Sequence, residues 1–147
     1  MYKKILVATD GSSLSKKAVN SAIALAQIHG ASLIAVKVVP RFTQTYFEGS
    51  IPVNMAEVDK IEKSWSDHAH KQLDKVAKEA SQHQVRIKTV VVKSDSVSDA
   101  LVATAKKNKV NLIVMASHGH KGIKRLLLGS ETQQVLTHTT IPVLVMR

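Results

Sequence analysis

Cysteine is absent from all 147 residues, which excludes a disulfide framework, a thiolate metal site and a cysteine nucleophile, and suits a reducing compartment. Aromatic residues make up only 3% of the chain, so the core falls to Val, Ile, Leu and Ala, and no platform for stacking nucleobases is available. No apolar run approaches the roughly 18 residues that a membrane-spanning helix needs. The apolar stretch before Asp10 is likewise too short for a signal peptide, so a cytoplasmic protein without membrane partners is expected. Acidic residues are outnumbered, 11 against 21 Lys and Arg, for a net charge of +10. The excess is spread in doublets such as Lys3-Lys4, Lys16-Lys17 and Lys106-Lys107, with no basic arm. It therefore predicts nonspecific attraction of polyanions rather than a nucleic-acid site.

The 44% apolar content is enough for one globular domain with a real core. Apolar runs at Ile5–Thr9, Ser32–Val39, Val85–Val92, Asn111–Ala116 and Pro142–Met146 read as strands, most of them near-continuous Ile, Leu and Val as strands covered on both faces should be. Between them lie helical patterns. Ser15–His29 carries Ala18, Ala22, Leu25 and Ala26 along one stripe, and Met55–Gln82 places Val58, Ile61, Trp65, Ala69, Leu73, Val76 and Ala80 at helical spacing. A third runs from Ser96 to Lys107 and a fourth opens at Ser130. Asn54 with Glu57, Ser96 with Asp99 and Ser130 with Gln133 read as helix starts, the last as a capping box. Strict alternation of five strands with four helices predicts an open, doubly wound parallel α/β sheet, with strand order 3-2-1-4-5. Ligands of such sheets bind beyond the carboxyl ends of the strands that flank the switch point. That rule singles out the loops after Thr9 and after Ala116. The segment Pro40–Asn54, with Phe42, Tyr46 and Phe47, is long enough to be a lid, a binding loop or disordered.

The loop after the fourth strand, Ala116-Ser117-His118-Gly119-His120-Lys121-Gly122, leads through Lys124 and Arg125 to Gly129-Ser130 at a helix start. Glycines let backbone amides approach a phosphate, and the first amides of a helix are unpaired and partly positive. The pattern describes an anion site and leaves the anion open. It is not a Walker loop, because no Gly-Lys-Ser/Thr triplet occurs, and Gly11 stands alone after the first strand, which excludes the dinucleotide fingerprint.

Over nearly its full length the chain resembles the universal stress protein family. The opening Lys3-Lys-Ile-Leu-Val-Ala-Thr-Asp-Gly-Ser12 is similar to the family's first strand and loop, and Leu126 to Met146 is similar to its last helix and strand. The ATP-binding branch carries Gly, two residues, Gly, nine residues, then Gly-Ser or Gly-Thr. Gly119, nine intervening residues and Gly129-Ser130 match, while Ala116 replaces the first glycine and adds a methyl where the nucleotide passes. The resemblance implies an adenine nucleotide alpha hydrolase-like fold and ATP as ligand, with Mg2+ or Mn2+ held through the phosphates. It places Asp10 at the ribose or the metal, Ala8 and Thr9 along the same edge, and the backbone of Val38 at the adenine. Met115, Ala116, Ser117, His118, Gly119 and Gly122 would wrap ribose and phosphates, and Gly129, Ser130 and Glu131 would present amides and a hydroxyl. It further implies a homodimer through the C-terminal strand and an unidentified regulatory protein partner.

Other readings have less behind them. Asp10 could be a turn or cap residue before Ser12-Ser13. His68 and His70, two apart on a helix, point to different sides, and His118 with His120 lack a third metal ligand nearby. No Gly-x-Ser-x-Gly elbow supports a hydrolase, and Asp10 lacks the acidic neighbour of a phosphoacceptor domain. A nucleotide-binding regulatory module is therefore expected. The alternative is a slow ATPase or nucleotide-transferring enzyme, for which no arrangement that positions water or a base is evident.

Overall fold

The strands are too apolar to leave either sheet face uncovered, and the helices between them are each apolar on one stripe. The computed structural model, described here for residues 1–41, 54–120 and 128–147, resolves this into two helical layers on one sheet. The elements are β1 (Lys4–Ala8), α1 (Ser13–His29), β2 (Ser32–Val39), α2 (Met55–Gln82), β3 (Ile87–Lys93), α3 (Val97–Lys107), β4 (Leu112–Ala116), α4 (Ser130–His138) and β5 (Val143–Met146). All pairings are parallel and the order is β3-β2-β1-β4-β5, as expected. Ile5, Val7, Leu33, Ala35 and Val114 point to one face, where they meet Ala18, Ala22 and Ala26 of α1 and Leu73, Val76 and Ala80 of α2. Leu6, Ile34, Val36, Ile113 and Met115 point to the other, against Leu101, Val102 and Ala105 of α3 and Val135 of α4. The small alanine stripe on α1 lets that helix lie close over the central strands β1 and β4.

Several boundaries differ from the sequence expectation for local reasons. α1 starts at Ser13 rather than Ser15, because the Ser12 hydroxyl accepts from Ser15 N at 3.2 Å and makes Ser12 the N-cap. Val85 is apolar and buried, yet it belongs to the exit of α2, where its amide donates to Ala80 O and Gln84 takes φ +59°. The same wrapped exit recurs after α1 at Gly30 and after α3 at Lys109, so only one of the three left-handed positions is glycine. The Ser130–Gln133 capping box does not form. Gly129 is the N-cap of α4, Ser130 is its first helical residue, and the Gln133 side chain donates instead to Leu128 O at 2.9 Å. The proposed loop Pro40–Asn54 lies, from 42 to 53, outside the described residues. Among the described residues no helix is long and apolar enough to cross a membrane.

The fold also reorganises the scattered charge. Lys4, Arg86 and Lys88 come together around a shallow cleft of about 320 Å³ at the amino-terminal ends of β1 to β3, the end of the sheet away from the switch point. Polyanion binding, if measured, is expected to weaken steeply with salt and to ignore sequence.

Candidate functional site

The switch point lies between β1 and β4, which separate the chain into the β2-β3 half and the β5 half. Beyond their carboxyl ends lies a cavity of about 720 Å³, within the range of small-molecule sites. One wall is apolar, formed by Val36, Val38, Val97, Leu101 and Met115. The start of α4 contributes Gly129, Ser130, Glu131 and Thr132 to the lining. Thr9, Asp10, His118 and Gly119 also line it.

The turn after β1 is built by its own polar side chains. Thr9 N extends the ladder to Val36 O, and the buried Thr9 hydroxyl accepts from Gly11 N and pairs with Ser15 Oγ. Gly11 takes φ +81°, a conformation that strains any side chain, and a Cβ there would also meet Gln72 Nε2 at 2.5 Å. Asp10 Oδ1 accepts from Ser12 N at 2.9 Å, so Asp10 does hold the turn. It also reaches across the site: Oδ2 accepts from His120 N at 3.2 Å, and His120 Nε2 lies 2.9 Å from Asp10 O. This pins the start of the β4 loop to the end of β1. Gly119 permits the approach, because a Cβ there would collide with the Asp10 carboxylate.

Burial raises the Asp10 pKa, but the hydrogen bonds from Ser12 and Ser15 and the nearby His120 outweigh it, and the carboxyl is held below its ordinary value of 3.8. A depressed carboxylate stabilises the fold above its unfolded pKa, and that contribution disappears as pH falls through the folded value. Asp10→Asn is therefore expected to be less stable than wild type at pH 7. The gap should narrow progressively below about pH 4, as urea midpoints between pH 7 and 2.5 would register. A gap that widened on acidification would contradict this ionised role.

The α4 side is assembled from backbone. Gly129 N donates to Ser117 O at 2.7 Å, Ser117 N donates to Met146 O at 2.7 Å, and Thr132 Oγ1 donates to Ala116 O at 2.9 Å. These bonds hold the amino terminus of α4 against the end of β4. α1, α2 and α3 each have a side chain that accepts from a first-turn amide, whereas α4 has none. Its first amides therefore face the cavity unpaired, beside a Ser130 hydroxyl with no hydrogen bond among the described residues. The Glu131 carboxylate, which would repel an anion, accepts from Ser98 N at 2.9 Å, at the start of α3.

Of the residues the sequence singled out, Ala8, Thr9, Asp10, Val38, Met115, Ala116, His118, Gly119, Gly129, Ser130 and Glu131 line this cavity. Ser117 does not: it is buried, and its backbone and hydroxyl hold the loop. Gly122 lies outside the described residues. The cavity adds Ser15, Val36, Lys37, Val97, Leu101, His120, Leu128 and Thr132. Val97 and Leu101 carry no chemical signal in sequence, and Thr132 and Lys37 read there as ordinary helix and strand residues. Among the described residues no group of three His, Asp or Glu could hold a metal.

Comparison with known proteins agrees with this geometry. The model of the universal stress protein family matches residues 1–147. Universal stress protein MJ0531 of Methanocaldococcus jannaschii is 34% identical over all of this chain and 83% of its own length. Universal stress protein YxiE of Bacillus subtilis is 32% identical over the whole of both. Among solved structures, MJ0577 of M. jannaschii superposes with a TM-score of 0.84 at 26% identity, covering 99% of this chain and 96% of its own. A universal stress protein in complex with cAMP superposes with a TM-score of 0.72 at 25% identity, covering 99% and 97%. With fold and sequence in agreement, the chain belongs to the universal stress protein family.

Proposed function

We propose that this chain is an ATP-binding universal stress protein, a cytoplasmic regulatory module in the stress response whose nucleotide occupancy changes what its homodimer contacts. The observation that carries the reading is the pairing, within one cavity, of an apolar slot with an uncapped helix start. A nucleobase is flat and largely apolar on its faces, and Val36, Val38, Leu101 and Met115 offer it a dry slot beside the backbone of Val38. A phosphate chain is multiply anionic, and the free amides of α4 with the Ser130 hydroxyl are donors aimed at it. The Asp10 carboxylate lies between, where a ribose hydroxyl would donate to it. The cAMP held by a solved relative is a ligand of this class. Mg2+ or Mn2+ would ride on the phosphates, because the Asp10 and Glu131 carboxylates already accept backbone amides. The same engagement leaves a slow ATPase without an observation in its favour.

Ala116 lines the cavity, and its methyl sits where the family's branch has glycine. The cavity measures about 720 Å³ with that methyl in place, room enough for a nucleotide-sized ligand, which supports retained binding. The dimer reading draws on β5, an edge strand of the sheet, and on the exposure of Leu144 on it and Leu136 on the adjoining α4.

The test is the nucleotide content of the freshly purified protein, followed by calorimetric titration with ATP and magnesium. About one ATP per chain, lost in Ser130→Ala combined with Gly129→Ala, is expected. Absence of binding at millimolar ATP would reduce the chain to an interaction protein on a nucleotide fold.

A further inference from the structure

The fold sorts charge between the two ends of the sheet. No Asp or Glu occurs in any strand, nor in the segments 30–31, 83–86, 108–111 and 139–142 that lead into β2 to β5. On the α3/α4 face the acidic residues of the helices are Asp99 and Glu131, both in first turns and so at the switch-point end. The other end of that face carries Lys106 and Lys107 in the last turn of α3, Lys109 just beyond it, and the cleft lined by Lys4, Arg86 and Lys88. Glu79, near the end of α2, belongs to a helix on the opposite face.

Strand parity builds the cleft. Ile5 and Ile87 face α1 and α2, so their neighbours Lys4 and Lys88 leave the sheet on the α3/α4 side. Arg86, between Val85 and Ile87 of the α1/α2 core, takes that side as well. Lys4 Nζ donates to Asn108 O at 3.3 Å and Lys88 Nζ to Asn108 Oδ1 at 3.5 Å, which places both ammonium groups at the cleft that Asn108 also lines. Asn108 caps α3 and its Nδ2 donates to Thr104 O at 2.8 Å, so the residue that gathers the two charges is itself anchored. No carboxylate joins them, since the ion pair among the described residues is Lys93 with Glu62. The Arg86 guanidinium has no hydrogen bond there either.

Cations suit the carboxyl end of a helix, which accounts for Lys4 and Lys88 in part. It does not account for Arg86, and it leaves three cations uncompensated around about 320 Å³. A carboxylate would bring one negative charge to that place. A phosphoryl group brings nearly two, on three acceptor oxygens, and a guanidinium fork matches two of those oxygens at once.

We infer that the cleft at the amino-terminal ends of β1 to β3 is a second ligand site, which takes the phosphoryl group of inorganic phosphate or a small phosphate ester. Arg86 supplies the fork, and Lys4 and Lys88 supply flanking ammonium donors. The site is independent of the nucleotide reading and lies at the other end of the sheet. It concentrates in one place an attraction that net charge alone would spread over the surface.

The experiment is titration of the isotope-labelled protein with inorganic phosphate, glycerol phosphate and acetate at constant ionic strength, followed amide by amide by NMR. Phosphate should shift Ser32, Arg86, Lys88 and Asn108 saturably, with a midpoint of about 1 mM, and acetate should bind at least about 10-fold more weakly. Tighter binding of glycerol phosphate than of inorganic phosphate assigns an ester, and the reverse the free ion, each in support of the site. Lys4→Gln combined with Arg86→Gln and Lys88→Gln should weaken phosphate by at least about 10-fold. The charge-matched combination of Lys60→Gln, Lys63→Gln and Lys71→Gln, at exposed positions of α2, should bind as wild type does. Equal weakening in both triple variants, a linear drift without saturation, or equal affinity for acetate reduces the cleft to diffuse attraction and overturns the site. A cleft variant that loses stability but keeps the phosphate midpoint leaves only helix capping and overturns it too. Saturable shifts confined to residues 129–132 overturn it while leaving the nucleotide reading standing. Should the cleft variant not fold, Arg86→Gln alone, at an exposed position, decides by the same comparison.

Discussion

Gly129→Val is expected to lower nucleotide affinity by at least two orders of magnitude while the sheet stays folded, because it displaces two or more amides that, in the proposed function, would each donate to a charged phosphate. Gly129 has φ −59° and ψ 153°, which any residue adopts, so glycine is not needed there for backbone freedom. It is needed for space. A Cβ would stand 3.0 Å from the Ser117 carbonyl oxygen and 3.3 Å from His118 Cα. Ser117 cannot withdraw easily, since its amide is bonded to Met146 O and its carbonyl accepts from both Gly129 N and Thr132 Oγ1. The helix start must therefore move, and the amides of Ser130, Glu131 and Thr132 move with it. Valine adds two γ-carbons to the conflict and alanine none, so Gly129→Ala should lose affinity by about 10-fold only, one hydrogen bond's worth. Calorimetry on the three proteins, with circular dichroism to verify folding, measures this. Valine-variant affinity within a few-fold of wild type would place the phosphates somewhere other than α4.

Leu101→Ala should give the largest loss of stability among the residues of the site, about 2–5 kcal/mol. Leu101 is only 1% exposed and sits where the α3 core merges with the apolar wall of the cavity, among Leu6, Ile113 and Val135. Truncation removes buried methyl groups and leaves a void that the flanking strands, fixed by their ladders, cannot fill. The void also widens the slot that would clamp a base, so affinity should fall together with stability. Urea unfolding reads the first effect as a lower midpoint at unchanged slope. A loss below about 1 kcal/mol would mean that the wall closes over the deletion, and the cavity would then be softer than described.

What could be read from the chain differs from element to element. The strands were legible because Ile, Leu and Val run without interruption, and a parallel strand covered on both faces needs that composition. The loops that line the cavity were legible because ligands of such sheets bind beyond the carboxyl ends of the strands at the switch point, and Gly119 and Gly129-Ser130 fall there. The Ser130–Gln133 box was misread because an N-cap is a backbone position, and the preceding Gly129 occupies it. Val85 was misread for a related reason: an apolar residue after a helix can be buried by the helix's own exit as well as by a strand. Lys37 escaped notice because a lone lysine in a strand gives no hint of the cavity at that strand's end. Ser117 went the other way, since nothing in the motif distinguishes a residue that faces the ligand from one that turns inward to hold the loop.

The sequence by itself determined the alternation of strand and helix, the two covered faces and the switch point, because periodicity and right-handed crossover leave almost no other arrangement. It also determined which loops would carry the site. Only the tertiary structure decided that the Glu131 carboxylate accepts from Ser98 N, that His120 and Asp10 join residues 110 apart, and that Lys37 lines the cavity. These depend on which side chains converge once the sheet has twisted and the helices have docked. Local propensity does not encode such long-range coincidence, and only the packed chain displays it.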